Sequence, residues 1–202
     1  MFDITRGVSK VTPIGFTANF RYNQLICEFG ALFGRHPIDL EESEMDFTVR
    51  EATMDDYDVV CSLMDEVDFL HRQALPHRYQ APMGMVREEE YIEYLINDRN
   101  CGFFVAQGQG ELLGYVVAFV KDTPDVPILV PCRYVLVDNM GVNPNYRQQG
   151  VGRALMARVS EWAAAQGATR MELSVYDFNT DAQRFYDALG FKSLSHKLDK
   201  PL

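Results

Sequence analysis

The stretch that most limits what this chain can fold into runs V-N-P-N-Y-R-Q-Q-G-V-G-R from Val142 to Arg153. It joins a strand pattern over residues 133–142 to an amphipathic pattern over residues 150–166, whose apolar positions Val151, Leu155, Met156, Val159, Trp162 and Ala163 fall on one helical face before Gly167 stops the run. A strand, a glycine-bearing loop and an amphipathic helix in direct succession make an α/β chain. Gly150 and Gly152 bracket the helix start, where unpaired N–H groups and the positive end of the helix dipole form an anion site. Glycine lets a phosphate approach the backbone, and Arg147 and Arg153 add cationic donors. Two familiar phosphate loops do not fit. A P-loop needs Lys and Ser or Thr after its second glycine, where Val151, Gly152 and Arg153 follow Gly150. A dinucleotide fingerprint needs a third small residue at Leu155, and Glu172 lies inside the next strand rather than at its end.

The rest of the chain is read around that segment. The chain has 202 residues and a mass of 23.1 kDa, room for one domain with or without an extension. Residues 1–46 show no sustained period and end in an acidic run, so they are expected to be a partly irregular N-terminal extension, with Met45 just before the first clean strand pattern. From residue 47 the patterns predict a strand over 47–51, a helix start at Thr53 with Asp56 three residues on, and a periodic helix reaching Leu70. A short helix over 86–96 and a hairpin of strands 101–107 and 111–121 turning at Gly108 and Gly110 come next. After the strand and helix around the glycine loop, the patterns predict a strand over 170–176, a short helix from about residue 180 to Gly190, and a final strand over 191–198. The four cysteines are scattered and read as small buried hydrophobes. No metal site is expected.

The glycine segment resembles the acetyl-CoA signature of the GNAT superfamily of N-acetyltransferases, complete here as Arg147, Gln148, Gln149, Gly150, Val151 and Gly152. A second block, Asn179 to Phe191, is similar to the later N..A..FY...GF pattern of that family. The resemblance covers about residues 47–202, the expected N-acetyltransferase domain. It implies a mixed central sheet, flanked by helices, that splays apart around acetyl-CoA. On that carry-over the backbone of Met140 and Val142 bonds the pantetheine arm, and the N–H groups of Gln148, Gln149, Gly150, Val151, Gly152 and Arg153 hold the pyrophosphate. Asn179 contacts the arm or caps the last helix. Tyr186 is the catalytic candidate, because a phenol with a pKa near ~10 stays protonated and can supply the proton that a departing thiolate needs. Asp138 is the leading candidate for helping the amine lose its proton, with Glu66, Asp68, His71 and His77 as further groups around the acceptor.

Charge sharpens the acceptor. The total of -10 divides into -3 over residues 1–46, -9 over 47–146 and +2 over 147–202. An acidic acceptor side beside a mildly basic cofactor side suits a cationic small-molecule or peptide amine. The acidic total argues against nucleic acid and anionic membrane as partners, and no stretch approaches the ~20 apolar residues of a membrane helix. A cytoplasmic enzyme acting by direct attack in a ternary complex is the expected function, with homodimer formation left open. A non-catalytic acyl-CoA sensor and a protein-interaction module on the same fold are the alternatives.

Overall fold

The β-hairpin is where local sequence fixes structure most tightly. Gln109 and Gly110 both adopt positive φ, 54° and 84°, the pair of left-handed residues that a two-residue hairpin turn requires. In the computed structural model, which describes residues 45–84 and 86–200, that turn joins β2 (Cys101–Gly108) to β3 (Glu111–Asp122). The other strands are β1 (Thr48–Glu51), β4 (Arg133–Val142) and β5 (Arg170–Leu173), and the helices are α1 (Tyr57–Ala74), α2 (Glu89–Asn97), α3 (Val151–Ala165) and α4 (Thr180–Ala188). The sheet order is β1-β2-β3-β4-β5, antiparallel through β4, with β5 added parallel to β4. The expected extension over residues 1–46 lies outside the described residues apart from Met45 and Asp46. Met45 and Phe47 pack against the core. No helix among the described residues is long and apolar enough to cross a membrane.

Two apolar layers sandwich the sheet. Val151, Leu155, Met156, Val159 and Ala163 of α3 pack on one face with Phe104, Ala106, Leu113, Val116, Ala118, Val135 and Val137. Val60, Leu63 and Met64 of α1 and Ile92 and Leu95 of α2 pack on the other, against Phe103, Val105, Tyr115 and Val117. Strands buried on both faces read as continuous apolar runs, as in L-L-G-Y-V-V-A-F of β3.

The start of α1 is fixed by charge. Asp56, only 6% exposed, receives two hydrogen bonds of 2.7 Å from the Arg50 guanidinium and one of 2.9 Å from the Thr53 N–H. The Arg50 hydrogen bonds hold the Asp56 carboxyl below its usual range, against the opposing effect of burial. A carboxyl whose pKa falls on folding stabilises the protein above its unfolded pKa of ~3.9, and that contribution is lost as pH falls through the folded value. Asp56→Asn is therefore expected to cost about 2 kcal/mol at neutral pH. In thermal melts the gap to the parent protein should shrink below pH ~4; a gap constant with pH would contradict this.

Two sequence expectations change. Residues 191–198 form no strand: beyond Phe191, which packs on the core, they are irregular, with Leu194 82% and Leu198 91% exposed. The strand expected over 170–176 stops at Leu173, and Tyr176 lies in the segment leading to α4.

Candidate active site

The site begins at an irregularity in β4. Val117 pairs with Asn139 but Ala118 pairs with Val137, so Asp138 is an extra residue, a β-bulge. The bulge reverses which face each later side chain occupies. Val135 and Val137 face the α3 side, and beyond the bulge it is Met140 and Val142 that join that side. Asn139 and Gly141 face α1 instead. The Asn139 Oδ1 accepts a 2.7 Å hydrogen bond from the Tyr115 hydroxyl, and a Cβ on Gly141 would stand 2.6 Å from Tyr115 Cε1 and 3.2 Å from Val67 of α1. Tyr115 is fully buried, and burial pushes its hydroxyl far above its usual pKa, so it stays a donor to Asn139.

The same bulge marks where the sheet opens. β5 pairs with β4 only from Tyr134–Arg170 to Val137–Leu173, so residues 138–142 have no strand on that edge. The Asn143 N–H donates to the Leu113 carbonyl of β3 at 2.9 Å. By antiparallel alternation Gly141 and Asn139 also turn their backbone groups to β3, whereas Met140 and Val142 turn theirs to the open edge. The Val142 carbonyl on that edge is taken by Arg147 Nε at 3.1 Å, which leaves the N–H as its outward donor.

The loop after β4 ends in a cradle of backbone amides. Asn143 caps a short 3-10 turn through the Asn145 N–H, and Gln149 Nε2 donates to the Asn145 carbonyl at 3.0 Å. Gln148 and Gly150 have φ of 61° and 86°. Alternating right- and left-handed backbone curls successive N–H groups toward one point. No side chain caps α3, and a Cβ on Gly150 would meet nothing within 4 Å, so the space in front of these amides is open. The Val151 side chain is buried in the core, leaving only its backbone to face the loop. A pyrophosphate fits this arrangement: open space, unpaired amides and a helix dipole, with Arg147 and Arg153 exposed beside it.

Helix α4 joins cradle and gap into one frame. A Cβ on Gly152 would lie 3.2 Å from Phe185 Cζ and 3.3 Å from Met140 Cε, so the first turn of α3 sits directly on both. One residue on, the Tyr186 hydroxyl donates to the Met140 sulfur at 3.9 Å, with its ring against Phe185 and Phe191. Burial raises the Tyr186 pKa above its usual value. Asn179 caps α4, its Oδ1 accepting from the Ala182 N–H at 3.1 Å. Asp138 is exposed, and its charge reaches Tyr91 of α2 and Cys101. The Cys101 thiol is pushed up to about 12, chiefly by burial. A cavity of about 400 Å³ lined by Asp55, Asp56, Gln107, Glu111 and Asn143 holds neither Tyr186 nor Met140. Among the described residues no group of three or more His, Cys, Asp or Glu could hold a metal ion.

The acidic acceptor side needs one revision. Asp68 is bound to Arg87 at 2.7 Å, and Asp65 to the same guanidinium at 3.0 Å, so these two carboxylates are engaged within the fold and together with Arg87 carry a net charge of -1. Arg87 is almost wholly buried and its carbonyl accepts a 2.7 Å bond from the Tyr57 hydroxyl. Glu66 and Asp138 are exposed.

A family model describing the GNAT acetyltransferases matches residues 66–191, more than half of the chain and all of the frame just described. The chain belongs to the GNAT acetyltransferase family. An N-alpha-acetyltransferase from Sulfurisphaera tokodaii is 27% identical over 154 residues, 74% of this chain and 82% of that protein. Among solved structures, a tetramutant of the BH1408 protein of Bacillus halodurans superposes with a TM-score of 0.73 at 24% identity, over 77% of this chain and 99% of the other. An aminoglycoside N-acetyltransferase, AAC(6')-Iy, solved in complex with CoA, matches with a TM-score of 0.59 at 19% identity, over 77% and 98% of the two chains. These two carry the fold: the GNAT domain is a mixed five-stranded sheet flanked by helices, as the sequence implied. The family and its named relatives make this GNAT chain an N-acetyltransferase.

Sequence reasoning did not find Asn139, Tyr115 or Arg87. The first two depend on the bulge, and Arg87 on contacts with residues 19 to 22 positions earlier in the chain, so no local pattern marks them.

Proposed function

We propose that this protein transfers the acetyl group of acetyl-CoA to a primary amine of a cationic small molecule or peptide, by direct attack with both substrates bound. The observation that carries the reading is the Tyr186 hydroxyl held at the Met140 sulfur, beside the open edge of β4, with the same Met140 side chain against Gly152 in the uncapped first turn of α3. Acetyl-CoA, when bound, supplies a thioester activated toward amines. The amides from Gln148 to Arg153 hold its pyrophosphate, and the outward N–H groups of Met140 and Val142 hold the arm in the gap. The Met140 N–H also serves as donor to the carbonyl oxygen on which charge develops. Tyr186 keeps its proton at working pH and gives it to the leaving sulfur. Asp138, on the acceptor face of the bulge, accepts a proton from the incoming ammonium, directly or through water, and with Glu66 favours a cationic acceptor. Asn179 acts by holding the start of α4, which carries Tyr186.

The test is a thiol-release assay with acetyl-CoA against a panel of amines that includes peptides. Stimulated release with at least one cationic amine, weakened several-fold by Asp138→Asn and by added salt, is the expected result. Binding of CoA without stimulated release by any amine would point instead to a sensor.

A further inference from the structure

Three consecutive residues between α1 and α2 reach out of that segment to distant parts of the chain. The Tyr79 and Tyr176 hydroxyls share a 2.7 Å hydrogen bond. Arg78 pairs with Asp199 at 3.2 Å, and His77 Nε2 lies 3.9 Å from the same carboxylate. Around the tyrosine pair, His71 of α1 stacks on Tyr79 at 5.3 Å between ring centroids and meets Tyr176 at 5.4 Å and Phe178 at 5.7 Å. Tyr176 and Phe178 stack at 5.8 Å. Rings this close are in contact, with no room for another ring between them.

Topology puts this cluster across the gap. Val137 pairs with Leu173, the last pair before the strands part, and Tyr176 lies three residues past Leu173 on the arm that leaves β4. On the other arm Val67 of α1 lies against Gly141, and His71 is one turn further along the same helix face. The rings therefore bridge the two arms on the α1 side, the side that Asp138 and Asn139 face. In this single bond one hydroxyl donates and the other accepts. The Tyr79 proton is held up to about pH 12, by that bond first and by burial second, so the bridge persists wherever an amine is acetylated.

We infer that the Tyr79–Tyr176 bridge sets acceptor specificity, admitting a primary amine on a slim unbranched stem and excluding amines carried on linked rings. The inference rests on the acetyl-transfer reading and narrows its acceptor. A slim stem can pass beneath a closed ring cluster. A multi-ring amine must first separate His71, Tyr79 and Tyr176 and break the hydroxyl bond. The Arg78–Asp199 pair is exposed and adds little to that resistance.

The test uses the full chain and two probes in which the CoA sulfur is joined through an acetyl linker to putrescine or to kanamycin, with affinities read by calorimetry. The putrescine probe should bind at least about tenfold more tightly. Tyr79→Ala should abolish most of that ratio by strengthening the kanamycin probe, and Tyr79→Phe, which keeps the ring and loses the hydroxyl, should give an intermediate ratio. CoA alone should bind the unaltered protein and both variants within about twofold. Equal affinity of the unaltered protein for the two probes would overturn the inference. So would a ratio unmoved in both variants while CoA binding is intact. Failure of CoA itself to bind the unaltered protein would overturn the acetyl-transfer reading on which the inference stands.

Discussion

Tyr186→Phe is expected to lower kcat by about two orders of magnitude while the KM for acetyl-CoA moves by less than about threefold. The substitution removes one oxygen and keeps the ring, whose contacts with Phe185 at 5.2 Å and Phe191 at 5.7 Å hold α4 in place. Stability should therefore change little, and a lost rate reports lost chemistry. A general acid contributes about 10² to 10⁴ in rate, and the lower end applies where the leaving group, a thiolate, is already tolerably stable. The pH profile separates this role from a packing role. Burial raises the Tyr186 pKa, so the hydroxyl is protonated throughout the range in which an alkyl ammonium, with a pKa near ~10, becomes a neutral nucleophile. The rate should rise with pH in both proteins, because that limb belongs to the amine, and the two curves should run parallel and about 10² apart. Equal kcat in the variant, with acetyl-CoA saturating, would remove Tyr186 from the mechanism.

How much of this could be read in the sequence follows from how local each determinant is. The hairpin between β2 and β3, the one-sided apolar face of α3 and the Thr53–Asp56 helix start each depend on a few neighbouring residues and each is present, although the turn falls on Gln109 and Gly110 where Gly108 and Gly110 were expected. The geometry of the glycine loop is local too, because positive φ at Gly150 and a helix start without a side-chain cap depend on neighbouring residues alone. The strand expected over residues 191–198 failed for the complementary reason. A strand needs a neighbouring edge to pair with and side chains alternating at every second position, whereas Phe191, Leu194 and Leu198 are three and four residues apart and the two leucines remain exposed. The bulge at Asp138 is a relation between two strands and leaves no mark on either alone, yet it decides that Met140 turns toward Tyr186 while Asn139 turns toward Tyr115. The acidic count was legible and its use was not: Asp65 and Asp68 share a single arginine 19 to 22 residues later in the chain, which offsets one of the two charges.

The cradle admits an equally sharp expectation: Gly150→Glu should weaken CoA binding by on the order of 100-fold, whereas Gly150→Asn should weaken it by less than about fivefold. Two costs are at issue. Any side chain at φ 86° meets the left-handed penalty of ~1–2 kcal/mol, which falls on folding as well as on binding and is smallest for Asn. The Asn variant isolates that cost, and because a Cβ at Gly150 meets nothing within 4 Å, no clash is added to it. Glutamate adds a negative charge at the mouth of an anion site. A unit charge about 4 Å from another is worth ~4 kcal/mol at an effective dielectric of 20, and exposure to water and salt brings this toward ~2–3 kcal/mol, or about 30- to 150-fold. Salt should therefore narrow the gap between the Glu and Asn variants in calorimetric titrations with CoA, since only the electrostatic part is screened. Melting temperatures without ligand should separate the two by only a few degrees, as strain differs little between them. A Glu variant that binds CoA as tightly as the Asn variant would mean that the amides of α3 do not face the pyrophosphate, and the phosphate end of the site would have to be sought elsewhere along the open edge of β4.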